Sequence, residues 1–162
     1  MEARSHGEGG RVALAREALE LIAASPRGVL CTLLPVGGEP YGSLVDILPL
    51  AGGDAVLFLS GLAEHRKNLD ADPRGSLLLG PAIGSPDALT QPRATIVGSA
   101  ERAQDRAEFR DLYLAAHPAS AAFIDFPDFA FYRLRADRVR YIAGFGRMGW
   151  IPKDALNARD SE

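Results

Sequence analysis

The sequence predicts a single domain built on an antiparallel β-barrel with flanking helices, a mainly β arrangement within the α+β class. Six or seven short apolar runs have the character of strands, and turn-forming residues separate most of them. The segments GVLCTLL (28–34) and YGSLVDILPL (41–50), for example, flank the turn VGGEP. Strands joined by such tight turns are antiparallel, so a doubly wound nucleotide-binding fold is disfavoured.

The composition is that of one globular domain with no general affinity for polyanions. The chain has 162 residues, of which 47% are hydrophobic and 24% charged, and its formal net charge is -3. A broad nucleic-acid or anionic-membrane binder would need a widely positive face. No apolar run approaches the roughly 20 residues that cross a bilayer, and the start, MEARSHGEGGR, lacks the apolar segment of a secretory signal. We therefore expect a cytoplasmic protein without nucleic-acid or membrane partners.

One ordered domain is expected over residues 11–152. Residues 1–10 are polar and glycine-rich and are expected to be disordered, while residues 153–162 form a polar tail. Helices are predicted at 12–24, 62–71 and 104–116, with one further helical turn at 118–124.

The last apolar segment, 129–145, is interpreted as a hairpin that turns at Ala136-Asp137. The glycine-rich GFGRMG (144–149) then follows the final strand and opens no long helix, so it is weak evidence for a phosphate loop. The P-loop pattern G-x-x-x-x-G-K-[ST] does not occur in the sequence.

Cysteine and histidine usage predicts no metal site. Cys31 is the single cysteine and lies in an apolar run, so we expect a buried structural thiol and no internal disulfide. The three histidines, His6, His65 and His117, are scattered without the spacing of metal ligands.

A short basic segment stands out between two predicted strands, SGLAEHRKNLDADPRGSLLLG (60–80). If 62–71 is a helix, Ser60 lies at its N-terminal edge, where unpartnered backbone N–H groups and the helix dipole favour an anion. The basic side chains one turn later can fold back toward the same point: His65, Arg66 and Lys67. Arginine can hold a phosphate bidentately, and lysine acts as a point charge. The alternative is a solvated charged face on a connecting helix, and spacing alone leaves both interpretations open.

Four segments carry a family pattern: PYGSLVD (40–46), LFLSGLAEHRKNLDADPRGSLL (57–78), RATIVGSAE (93–101) and VRYIAGFGRMGW (139–150). Together they resemble the pyridoxamine 5'-phosphate oxidase-related FMN-binding split barrels, and within these the HugZ-type branch of haem-utilisation proteins. The resemblance extends from about Gly28 to Trp150, and segment 57–78 is its most specific part. It implies an antiparallel split β-barrel that forms a homodimer with FMN at the subunit interface.

The resemblance also implies a set of cofactor-binding residues: Ser43, Leu44, Val45, Asp46, Leu59, Ser60, His65, Arg66, Lys67, Arg93, Arg147 and Trp150. The first four would lie along the flavin, and the next five around the flavin edge and its phosphate. Arg93 would reach the flavin of the facing subunit, and the last two would bind an anion and cover the site. The related oxidases have arginine where Ser43 stands and lysine where His65 stands, so modest FMN affinity is expected.

The expected function is that of an FMN-dependent oxidoreductase acting on an unknown small molecule, with the flavin carrying the electrons and no catalytic side chain assigned. The substrate motif for vitamin B6 phosphate is absent, so B6 oxidation is not expected. One alternative is haem binding or haem degradation of the HugZ type, for which His65, His117 and Cys31 are the candidate axial ligands. Another is a flavin-binding dimer without catalysis.

Overall fold

The computed structural model describes residues 8–82, 84–144 and 146–158. These residues form four α-helices: α1 (Glu8–Ala23), α2 (Glu64–Ala71), α3 (Ala107–Ala116) and α4 (Lys153–Asn157). They also form seven β-strands: β1 (Arg27–Leu33), β2 (Pro40–Pro49), β3 (Ala55–Ser60), β4 (Arg74–Leu79), β5 (Arg93–Arg102), β6 (Phe129–Gly144) and β7 (Arg147–Pro152). Short 3-10 helices lie at Ala51–Gly53 and Pro118–Ala122.

The strands form one antiparallel sheet that closes on itself. Their order is β3-β2-β1-β4-β5-β6-β7, and β3 also pairs with β6. Six strands therefore make a closed ring, and β7 extends the sheet from β6 outside that ring. The predicted antiparallel barrel with flanking helices is confirmed.

Two hydrophobic clusters stabilise the fold. The first fills the barrel with inward side chains such as Leu30, Ile47 and Leu77, and Ile22 of α1 joins it. The second lies outside the barrel, where α3 and the 3-10 helix after it cover β3 and the start of β6. Because β3 is covered on both faces, its residues AVLFL are all buried, which explains a continuous apolar run instead of an alternating one.

The predicted hairpin at Ala136-Asp137 is wrong. Residues 129–144 form one strand, because the bulge opposite Gly98 on β5 lets β6 change register without turning back. The buried Asp54 carboxylate fixes this point by accepting hydrogen bonds from the Ala136 N–H and from Arg133, at 2.9 Å each. The turn comes later, between β6 and β7, where Gly144 and Gly146 have positive φ.

Several element boundaries differ from the predicted ones. Helix α1 already begins at Glu8, inside the segment expected to be disordered, whereas residues 1–7 lie outside the described part of the chain. Helix α4 occupies the start of the predicted polar tail, because Leu156 packs into the barrel core. The basic helix spans Glu64–Ala71, two residues shorter than predicted. Within the described residues, no helix has the length and apolarity to cross a membrane.

Candidate functional site

Helix α2 packs over β1 and β2 and brings the basic segment to one end of the barrel. Its buried residues are Asn68 and Leu69. The Asn68 amide nitrogen donates to the Thr32 hydroxyl at 2.9 Å, while its Oδ1 has no hydrogen-bond partner among the described residues. The orphaned buried atom at this end is thus an acceptor, which does not suit a bound anion.

His65 of α2 reaches the cofactor strand predicted from the resemblance. Its Nδ1 lies 3.0 Å from the Ser43 hydroxyl oxygen, so two predicted site residues are in contact. Burial lowers the pKa of His65 below its ordinary value of 6.5. The imidazole is therefore neutral at pH 7 and supplies a hydrogen bond instead of a positive charge.

The lowered pKa of His65 predicts a pH-dependent stability. The unfolded chain binds a proton at His65 more readily than the folded chain, so stability is highest well above pH 6.5 and is lost as the pH falls below 6.5 toward the lower pKa of the folded protein. We expect the free energy of unfolding of wild type to fall more steeply than that of His65→Gln between about pH 7.5 and about pH 5.5. Urea denaturation at both pH values measures this, and equal slopes for the two proteins would contradict it.

Arg66 faces inward and is engaged by the protein itself. Its guanidinium donates to the carbonyl oxygens of Leu59 and Asp128 and, at 3.2 Å, to the Tyr132 hydroxyl. The Asp70 carboxylate lies 3.7 Å from the same guanidinium. The Arg66 side chain is only 12% exposed. Arg66 thus ties α2 to the ends of β3 and β6.

Two other residues assigned to the phosphate are also engaged. The Ser60 hydroxyl donates to the Asp128 carboxylate at 3.3 Å and accepts from the Leu62 N–H at 3.2 Å. Lys67 forms an exposed ion pair with Glu64 at 3.6 Å. As they stand, these side chains and Arg66 do not fit a phosphate group, because their donors are directed at protein oxygens. The phosphate assignment stays a prediction.

The strand assigned to the flavin presents two different faces. Ser43 and Val45 point to the barrel side of β2, whereas Leu44 and Asp46 point outward. Leu44 is 65% exposed, and Asp46 forms an ion pair with Arg27 at 2.7 Å. Only the outward pair can contact a ligand on the surface of the barrel.

Leu44 begins a row of outward residues that crosses six strands. The strand register pairs each member with the next, and paired residues share one face of a sheet: Leu44, Val29, Leu78, Thr95, Arg140 and Trp150. We call this set the outer row. At about 4.8 Å per strand it follows about 24 Å of the curved barrel surface. Leu44 and Leu78 are exposed on either side of Val29, and Trp150 is exposed at the other end of the row.

The end of the outer row carries positive charge. The guanidinium carbons of Arg138 and Arg140 lie 5.0 and 5.8 Å from the centre of the Trp150 ring, so the indole contacts two cations. Cys31 lies on the same outer face of β1 and is partly exposed, so the expectation of a buried thiol is wrong. Its strand neighbours there are Gly42 and Ser76, which are too small to cover it.

The two remaining predicted residues lie apart from α2. Arg93 begins β5 and donates to the carbonyl oxygens of Leu89 and Gln91 at 2.9 and 3.2 Å. Arg147 begins β7 and forms a 2.6 Å ion pair with Glu17 of α1. The predicted set is therefore divided among the α2 end of the barrel, the outer row and the β6–β7 turn.

Sequence reasoning missed Leu78, Val29 and Arg140 of the outer row. The run SLLLG (76–80) is continuously apolar, which conceals the outward position of Leu78. The alternation of arginine with Val139 and Tyr141 was a usable signal, because it places Arg138 and Arg140 on the side opposite the core.

The chain belongs to the pyridoxamine 5'-phosphate oxidase family, whose pattern it matches over residues 14–143. This agrees with the closed antiparallel barrel and with the resemblance found in the sequence. The described residues contain no group of three or more potential metal ligands.

The relatives include proteins named for haem. A chloroplastic non-canonical haem oxygenase, HOZ, from Arabidopsis thaliana is 41% identical over 109 residues, which is 66% of this chain and 33% of that protein. A haem-binding protein from Mycobacterium smegmatis superposes with a TM-score of 0.80 at 37% identity, covering 88% of this chain and 59% of the other. This chain thus spans about a third and about three fifths of these two relatives. HutZ, a haem storage protein from Vibrio cholerae, shares the fold, with a TM-score of 0.63, 19% identity and coverage of 83% and 98%.

Proposed function

We propose that this protein binds haem on the outer row, in a site completed by a second copy of the chain. The observation that carries the proposal is the exposed apolar row with arginine and tryptophan at one end. It agrees with the haem-related names of the Arabidopsis and mycobacterial relatives.

The chemistry of the outer row suits a planar apolar ring with two carboxylates. Leu44, Val29 and Leu78 lie on three adjacent strands and supply a contiguous apolar contact. Arg140 supplies a guanidinium for a carboxylate, and Trp150 supplies a ring for stacking. When bound, haem would supply the iron at which ligand or redox chemistry takes place.

The described histidines do not serve the outer row. His65 contacts Ser43. Nε2 of His117 lies 2.7 Å from the Ile47 carbonyl oxygen, and its ring packs at a tilt against Tyr113. An exposed surface row contacts only one face of a ring, so a second surface is needed to enclose it. A second copy of the chain offers the same apolar row and is the partner we propose.

FMN remains the competing cofactor, as the resemblance implies. Its phosphate would require Arg66 or Ser60 to leave protein partners at the end of β3. The haem proposal requires no such rearrangement of the described contacts, and this is why we prefer it.

Absorbance titration tests the proposal. We expect haem added to the purified protein to give a Soret band that survives desalting at one haem per dimer or per protomer, together with dimeric elution in gel filtration. FMN added in the same way is expected to be removed by desalting. Retained FMN without retained haem would contradict the haem proposal and return the protein to the flavin alternative.

A further inference from the structure

A second candidate site lies on another part of the molecule, in a groove between α1, β7 and α4. The groove has a volume of about 960 Å³, within the range of small-molecule sites. Its apolar surface comes mainly from α1 and β7 and includes Leu14, Leu19 and Ile151. Val12 and Trp150 also line it and are more than half exposed, so apolar surface remains open to solvent there.

The packing of α1 on β7 forms this groove. Leu14 of α1 lies against Gly149, close enough that a Cβ on the glycine would come within 2.9 Å of its methyl group. Arg147 at the start of β7 is paired with Glu17 of α1. These two contacts hold the helix beside the strand, so the groove is built into the fold.

The charges around the groove favour an anion. Arg11, Arg16 and Arg138 line it, against the carboxylates Glu20 and Asp154. Arg16 faces Glu20 at 3.9 Å, whereas Arg11 and Arg138 form no ion pair with any residue that the structure describes. Two guanidinium groups therefore lie beside an apolar surface without an ion-pair partner among the described residues, and that of Arg138 also contacts the Trp150 ring.

We propose that this groove binds an amphipathic organic anion, with an aliphatic chain on the apolar surface and a carboxylate or phosphate head group at Arg11 and Arg138. The combination of an extended apolar lining with a few charged groups is what such a ligand requires. The site is separate from the α2 end of the barrel and borders the outer row only at Trp150.

Trp150 makes the proposal directly measurable, because it is the only tryptophan in the chain. Decanoate titrated into the full-length protein is expected to change the tryptophan fluorescence along a saturating curve. Decyl phosphate tests the other head group, and decanol tests the chain without charge. We expect decanol to bind at least about tenfold more weakly than decanoate or decyl phosphate.

Variants locate the binding. The double variant Arg11→Gln/Arg138→Gln is expected to weaken decanoate binding about tenfold. Arg74 is an exposed arginine on β4, and Arg74→Gln is expected to leave the affinity for decanoate unchanged. Leu44 lies outside the groove, so Leu44→Asp is expected to bind decanoate as wild type does, although its haem binding is weakened. A curve that does not saturate, equal affinity for decanol, or equal weakening by Arg74→Gln would overturn the proposal.

Discussion

Gly98→Ala is expected to destabilise the fold severely, by about 4 kcal/mol or more. A Cβ at this position would lie 1.8 Å from the carbonyl oxygen of Arg135, which is backbone of the neighbouring strand. Neither atom can move without opening the bulge where β5 and β6 change register. Because β5 and β6 form the longest strand pairing in the barrel, the strain falls on the centre of the fold.

Gly42→Ala is the matched control for this prediction. Gly42 also lies in a strand, but a Cβ there meets only a methyl group of Val29, at 3.8 Å. Alanine restricts the unfolded chain, so we expect a change within about 1 kcal/mol, in the stabilising direction. Urea denaturation of both variants measures the difference, and equal stability of the two would contradict the account of the bulge.

Arg66→Met is expected to cost about 3 kcal/mol of stability. Methionine keeps much of the apolar stem but removes every donor, leaving the carbonyl oxygens of Leu59 and Asp128 without their guanidinium. The Asp70 carboxylate and Tyr132 hydroxyl, which are hydrogen-bonded to each other, also lose their cation. The large effect follows from the burial of this guanidinium.

Lys67→Met is the neighbouring control. Lys67→Met removes the same charge from the same helix, but the Lys67 side chain is 56% exposed and its partner Glu64 is also exposed. An exposed pair of this kind contributes about 0.5 kcal/mol or less. If Lys67→Met proved as costly as Arg66→Met, the structural role assigned to Arg66 would be wrong. If Arg66→Met left stability unchanged and released bound FMN, Arg66 would be a phosphate ligand.

The sequence was sufficient to predict the antiparallel barrel and the approximate position of most of its elements. Tight turns such as the one at Gly37 and Gly38 require antiparallel neighbours, and local chemistry alone shows this. The helix after β3 was also predictable, because Asp72-Pro73 ends any helix that precedes it.

The direction of individual side chains was not predictable in the same way. Arg66 and Lys67 are adjacent in the sequence, yet one ties strand ends together and the other faces solvent. That difference depends on Asp128 and Tyr132, which are more than 60 residues away. The outer row has the same origin, because it exists only once the register of six strands is fixed. The bulge opposite Gly98 likewise cannot be identified until the pairing of β5 with β6 is known.

The most direct test of the account compares haem binding by wild type, Leu44→Asp and Leu112→Asp. Leu44 and Leu112 are similarly exposed, at 65% and 58%, but only Leu44 belongs to the outer row, since Leu112 lies on α3. Titration followed at the Soret band is expected to show at least about tenfold weaker haem binding for Leu44→Asp and wild-type binding for Leu112→Asp. Wild-type haem binding by Leu44→Asp would contradict the proposal that haem lies on the outer row.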